Sequence, residues 1–271
     1  MVMKIIKKGR AVYLECEKLS ESGDVIHAFL SRKGGFSNPP FNSLNLSYRV
    51  GDNDETVLKN YRTVGKNFGI NYEHFITVNQ SHGDKILVID NQTEKIKDFF
   101  DKAKKLKKDA LITDKLLLPI GILTADCASI ILFDKKKKVI AIAHAGWRGT
   151  VLRIGQKVFA EMKRHYGTAP ENCLVSIGPS IKKCCYEVGE EVVESLRSNF
   201  SVWKDFVMKK GNKWNFSIDE LNVFQMMEIG IPPRNISKSN LCTSCSKDLF
   251  FSYRAEKGIT GRSLSFIMLM E

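Results

Sequence analysis

The chain has 271 residues, of which 43% are hydrophobic and 27% charged, with a formal net charge of +12. This is the composition of a soluble globular protein large enough to bury a sizeable core, and it excludes a disordered or fibrous chain. No apolar run approaches the ~18 residues that would span a bilayer, so no membrane partner is expected.

The first stretch, MVMKIIKKGRAVYLECEK, is too charge-interrupted for a signal peptide, and a cytoplasmic protein is expected. From there, VIHAFLS (25–31) predicts a strand, and 55–68 predicts an amphipathic helix opened by the acidic residues of 52–55. FITVNQ and KILVID predict strands on either side of the SHGD turn. The segments 110–113 and 120–124 are short and strand-like. SIILFD and VIAIAHA predict a hairpin closed by the lysine run 135–138. A helix is expected over 149–166, a strand at CLVSIGP, helices over 187–199 and 219–229, and a closing strand at SLSFIMLM. There is no internal repeat. SNPPFNS and GIPPRN are short turns rather than linkers, so one domain over 1–271 is expected, with mixed β-sheets flanked by helices in an α/β or α+β arrangement.

Seven cysteines follow no regular spacing, which in a reducing compartment favours thiols or metal ligands over disulfides. Much of the positive charge lies in the runs 102–108 and 135–138. These read either as a solvated surface or as attraction for anions such as phosphate. No recognition-helix, zinc-finger or RNP-type pattern accompanies them, so no nucleic-acid partner is expected.

Three residues stand at or just beyond the ends of predicted strands: His82 in NQSHGDK, Cys127 in TADCAS and His144 in AHAGWRGT. Two imidazoles and a thiolate form a ligand set of open zinc sites, with the fourth position left to water or substrate, and the set also suits copper. Singly, each has a plainer reading, as a turn histidine, a small buried hydrophobe or a core histidine. Cys127 also reads as a nucleophile with His144 as its base. Asp126, Asp84 and Glu187 are the alternatives for moving a proton. Arg148, between glycines ahead of a helix, can pair with phosphate or carboxylate beside free N–H groups. Cys184 and Cys185 read as a buried pair. The CxxC of Cys242 and Cys245 lacks a second CxxC or nearby histidine that would mark a zinc site. P-loop, dinucleotide-fold, HExxH, GxSxG and cytidine-deaminase signatures are absent.

The strings SRKGGFSNPPFNSLNLS, GDNDETVLKNY, NQSHGDKI, LTADCASIILFD, AIAHAGWRGT, IGPSIKKCCYEVG, LCTS and FFSYRAEKGITGR, in that order, resemble the laccase-domain family. That family is also called multicopper polyphenol oxidoreductases and is viewed as purine nucleoside phosphorylases. The resemblance implies zinc at His82, Cys127 and His144 and a four-layer α/β/β/α fold; these three residues, with Asp126 as one of the alternatives for moving a proton, are the expected catalytic residues. It implies phosphorolysis of adenosine, inosine, guanosine and S-methyl-5′-thioadenosine, with adenosine deamination as a further activity. Purine nucleosides and phosphate are then the partners, with Arg32, Asn45, Arg148 and Arg254 near the substrate, and a monomer is expected. Two features depart from the family pattern: Ala255 stands where members often carry a second arginine, and Cys245 is additional. The family is also linked to editing of serine misincorporated into peptidoglycan precursors, which a Cys127–His144 amide hydrolase would suit. The five histidines, His27, His74, His82, His144 and His165, include no adjacent or alternate pair. They do not supply a multicopper centre, and a copper-dependent polyphenol oxidase would have to work with one copper at the His-Cys-His site.

Overall fold

The computed structural model describes residues 3–90 and 103–271, so Lys102 of the first lysine run lies outside the described residues. In chain order the strands are β1 (Met3–Lys8), β2 (Ala11–Cys16), β3 (Val25–Leu30), β4 (Ile86–Ile89), β5 (Ala110–Thr113), β6 (Ile120–Thr124), β7 (Ala128–Asp134), β8 (Val139–Ala145), β9 (Cys173–Ile177), β10 (Glu187–Val188), β11 (Val207–Lys210), β12 (Lys213–Phe216), β13 (Ile236–Lys238) and β14 (Ser263–Leu269). The helices are α1 (Glu17–Glu21), α2 (Asp54–Phe68), α3 (Trp147–Val151), α4 (Ile154–Tyr166), α5 (Glu190–Asn199) and α6 (Ile218–Glu228). Among the described residues no helix is long and apolar enough to cross a membrane.

One sheet is antiparallel throughout, in the order β1–β2–β3–β14–β6. A second has the order β13–β9–β7–β8–β5–β4 and is mixed, with parallel pairs at each edge. Alternation of side chains along each strand gives both sheets two apolar faces. Phe29, Ile122 and Ile267 of the first sheet share a core with Ile131, Phe133 and Ile142 of the second. The opposite face of the first sheet, with Leu30 and Phe266, packs on Val57, Val64 and Phe68 of α2. The opposite face of the second, with Ile130, Ala141 and Val175, packs on Val158 and Met162 of α4 and Met226 of α6. The layers are therefore α/β/β/α, as the resemblance implied. Each fully buried Ile, Leu or Phe in them contributes about 1.5–3 kcal/mol relative to exposure. A small sheet, β10–β12–β11, packs on α5 around Val193, Leu196 and Phe216.

The expected hairpin forms with Ala128 opposite Ala145, and Asp134 Oδ1 accepts the backbone N–H groups of Lys136 and Lys137 in its turn. α2 is capped by Asn53, whose side chain accepts the N–H of Thr56. Three expectations change. FITVNQ forms only isolated bridges, Ile76 with Ile120 and Asn79 with Lys107, because its N–H groups bond to the 106 and 119 loops instead of a ladder. The helix expected over 149–166 is two helices, separated at Arg153, which takes a left-handed conformation with φ 60°. Glu187 and Val188 pair with Asn215 and Trp214 as a strand, so the next helix begins only at Glu190. The N-terminal β1–β2 hairpin was not anticipated, and its turn uses Gly9 at φ 58°.

Candidate metal centre

Strand pairing brings the site together at one end of the second sheet. In the β7–β8 register Ser129 lies opposite His144, so Cys127, two residues before Ser129, reaches the same end. β5 runs antiparallel to β8 with Ala110 opposite Ala143, which places Asp109 beside His144. The His144 backbone N–H donates to the Asp109 carbonyl at 2.7 Å, and the His144 Nδ1–H donates to Asp109 Oδ1 at 2.9 Å. That contact leaves Nε2 as the atom of His144 that could hold a metal.

The same carboxylate builds the loop that carries His82. Asp109 accepts the backbone N–H groups of His82 at 2.9 Å and Gly83 at 2.8 Å, and the Ser81 hydroxyl at 2.9 Å. His82 takes a left-handed backbone with φ 59°, a conformation that these bonds to a fully buried carboxylate hold in place. The rings of His82 and His144 then meet edge to face, 4.7 Å apart at their centroids. One donor atom from each of His82, Cys127 and His144 lies within 4.8 Å of the others.

Gly146 explains how the three can meet. A Cβ there would lie 3.0 Å from His82 Cδ2 and 3.2 Å from Cys127 Sγ. Burial alone would raise the Cys127 thiol pKa, but His144 and His82 pull it down, to about 6. Burial likewise opposes charge on His144, while Cys127 and Asp109 push it up. Burial works against ionised Asp109, yet the bonds from His144, Gly83 and Ser81 hold its carboxyl down to about 2. The site therefore prefers a thiolate. The donor set of one soft sulfur and two imidazoles, with an imidazole aimed by a carboxylate, fits a single zinc-class ion with an open position.

The centre lines a cleft of about 1200 Å³. Tyr48, Tyr61, Tyr186 and Tyr253 contribute aromatic wall, with Tyr48 and Tyr61 stacked at 5.9 Å. Arg49, Lys104, Arg254 and Arg262 contribute positive charge, against Glu73 and Asp126. Arg254 lies over the Tyr186 ring and donates to the carbonyl of Glu187 at 2.8 Å. Arg262 lies over Tyr253, and its charge acts on Cys127.

The other expected residues fall in different places. Asp126 lines the cleft, but its Oδ1 accepts the Thr243 hydroxyl at 2.6 Å and its Oδ2 accepts the Arg254 N–H at 2.7 Å. Both oxygens thus tie neighbouring loops to Cys127. Arg32 does not line the cleft: its buried guanidinium is spent on Asn42, Lys247 and Glu256, over Phe251. Asn45 is fully buried and holds the backbones of Ser47 and Arg262 in position. Arg148 projects from α3 toward α5, where it pairs with Glu191 over Trp147, its side chain 57% exposed. Asp84 pairs with Lys157 of α4, and Glu187 with Lys213, both outside the cleft lining. Asp109 and Arg262 were missed. The one signal available for Asp109 was its place directly before a strand, and for Arg262 its place in the string TGR.

Comparison with known proteins finds relatives over nearly the whole chain. The chain is 32% identical over 251 residues to purine nucleoside phosphorylase YlmD of Bacillus subtilis, covering 92% of this chain and 90% of that one. It is also 32% identical over 259 residues to adenosine deaminase RL5 of an unknown prokaryotic organism, covering 93% and 98%. The crystal structure of YlmD from Geobacillus stearothermophilus superposes with a TM-score of 0.90 at 30% identity, over 100% of both chains. A family model for multi-copper polyphenol oxidoreductase laccase matches residues 26–270. With sheet order, cleft and donor trio in place, the chain belongs to that family.

Proposed function

We propose that this protein is a zinc-dependent purine nucleoside phosphorylase acting on adenosine, inosine, guanosine and S-methyl-5′-thioadenosine, with adenosine deamination as a second activity of the same cleft. In this reading one domain spanning the chain works as a monomer, and a reducing compartment such as the cytoplasm keeps its thiols free. The observation that carries the proposal is a convergent His82–Cys127–His144 donor set opening into a cleft with tyrosine walls and arginine charge. Relatives named for both activities support it.

The tyrosine faces offer stacking to a purine. Arg254 and Arg262 supply the positive potential that draws phosphate toward the sugar C1′, and phosphate there displaces the base through an oxocarbenium-like transition state. Asp109 keeps His144 in the tautomer that presents Nε2, and Asp126 holds Arg254 and the Cys127 turn in register. A zinc ion bound by the trio would supply Lewis acidity at the open end of the cleft. Zinc fits better than a multicopper centre, because the remaining histidines are elsewhere: His27 Nε2 accepts the Cys16 N–H at 2.8 Å, while His74 and His165 lie beside Asn71 and Glu161. The test is release of free base from nucleosides with and without phosphate. Phosphate-dependent release is expected, and a metal-replete protein that yields neither base nor ammonia would sink the proposal.

A second reading rests on the same atoms. Cys127, His144 and Asp109 form a thiol–imidazole–carboxylate series, which is the arrangement of a cysteine amide hydrolase. It predicts that metal-free protein is active and is inactivated by alkylation of Cys127. The nucleoside reading predicts that the metal-free protein is inert.

A further inference from the structure

Four of the seven cysteines converge at a place away from the cleft trio. Cys184 and Cys185 sit in the loop between β9 and β10, and Cys242 and Cys245 in the turn after β13. Cys245 Sγ lies 3.3 Å from Cys185 Sγ and 3.6 Å from Cys184 Sγ, and all four sulfurs lie within 4.8 Å of one another. All four are free thiols. Zinc–sulfur bonds of about 2.3 Å in a tetrahedron set sulfurs about 3.8 Å apart, so these four need only small shifts to close on one ion.

The backbone prepares the site. Cys242 bridges to Ser180, the Thr243 N–H donates to the Ser180 carbonyl at 3.2 Å, and the two loops thereby run side by side. The Lys182 N–H donates to Cys242 Sγ at 3.4 Å, and the N–H groups of Cys245 and Ser244 also act on that sulfur. A single disulfide would use two sulfurs and strand two; an ion uses all four.

We propose that Cys184, Cys185, Cys242 and Cys245 form a second metal site, a closed tetrathiolate for a zinc-class ion. Four protein ligands leave no open position, which makes the site structural. The ion would clamp the loop carrying Tyr186 to the segment carrying Tyr253 and Arg254, and so fix the cleft wall those residues form. The clamp coincides with weaker ties between the same segments, since Arg254 donates to the carbonyls of Cys185 and Glu187. The proposal holds whichever reaction the cleft performs.

The experiment is metal analysis of full-length protein purified under reducing conditions without added metal, as wild type, as Cys127→Ala and as the double variant Cys242→Ser/Cys245→Ser. The proposal expects Cys127→Ala to retain one metal equivalent and the double variant to lose one equivalent relative to wild type. Cobalt loading of Cys127→Ala should give the strong sulfur-to-cobalt absorption of a tetrathiolate. If the double variant does not fold, alkylation of the wild type decides instead: the four thiols should resist iodoacetamide until a strong chelator is added. Cys127→Ala protein without metal or cobalt absorption overturns the proposal. So does alkylation of the four thiols at equal rates with and without chelator, or an intact mass showing them paired as disulfides. A failure of the nucleoside reading would appear in turnover and would leave these outcomes unchanged.

Discussion

The two thiol-containing clusters of this molecule are built differently. The cleft trio mixes sulfur with nitrogen, stands at the end of a buried sheet, and is organised by one carboxylate with no solvent exposure. The four-cysteine cluster has sulfur alone and stands on two loops, with Cys184 and Cys245 exposed and Cys242 buried under the Lys182 N–H. Three donors with a supporting carboxylate leave room for a substrate, whereas four thiolates leave none. In the proposed reading the contrast separates a centre for chemistry from one that holds loops, and it can be broken or sharpened by substitution.

The largest effect is expected at Cys127. Cys127→Ala should abolish nucleoside turnover and remove the cleft metal together, checked by base release and metal content on the same preparation. Asp109→Asn comes next, because it disturbs both the His82 loop and the His144 tautomer while touching no substrate. Loss of such a supporting group should weaken cleft metal affinity by about 10–100-fold, measured by competition with a chelator, and leave the four-cysteine metal in place. Gly146→Ala should cost about 1–3 kcal/mol of stability through its contacts with His82 and Cys127, read from denaturant unfolding.

A pH effect follows from Asp109. Folding lowers its pKa from 3.8 to about 2, so the ionised carboxyl contributes about 2 kcal/mol above its ordinary pKa, and that contribution fades as the pH falls through about 2. The stability gap between wild type and Asp109→Asn should therefore narrow between about pH 4 and 2 in acid unfolding curves. The smallest effect is expected at Arg148. Arg148→Ala should change stability by less than about 0.5 kcal/mol and leave turnover intact, since its pair with Glu191 is exposed. A large loss of activity there would mean that α3 contributes to the cleft after all.

Much of the site was legible in the chain. His82, Cys127 and His144 stood at predicted strand ends, and the strings around them carried the family. The β7–β8 hairpin was equally plain, because two apolar runs flank a lysine-rich turn. Asp109 was not legible: nothing local distinguishes it from other acidic residues near strand starts. It becomes central only because the β5–β8 register places it opposite His144, 35 residues away. Arg32 and Arg148 lie outside the cleft lining for the converse reason. The resemblance set Arg32 near the substrate and a glycine-flanked motif suggested an anion site at Arg148, but partners from distant segments, Glu256 for the first and Glu191 for the second, decide where each points. The break at Arg153 has the same origin. Asn222 and Gln225 of α6 bond to the hydroxyl and carbonyl of Thr150, at 3.0 and 2.9 Å, near the end of α3.

The sequence by itself determined the alternation of apolar residues that makes two sheets and their covering helices, the donor chemistry of the trio, and its family. Those depend on residue type and near neighbours, which the chain states directly. Only the tertiary structure decided which carboxylate orients the ligands, which arginines face the cleft, and that two loops carry four cysteines to one point. Those depend on strand register and on contacts between residues far apart in the chain, and no local pattern encodes such distances.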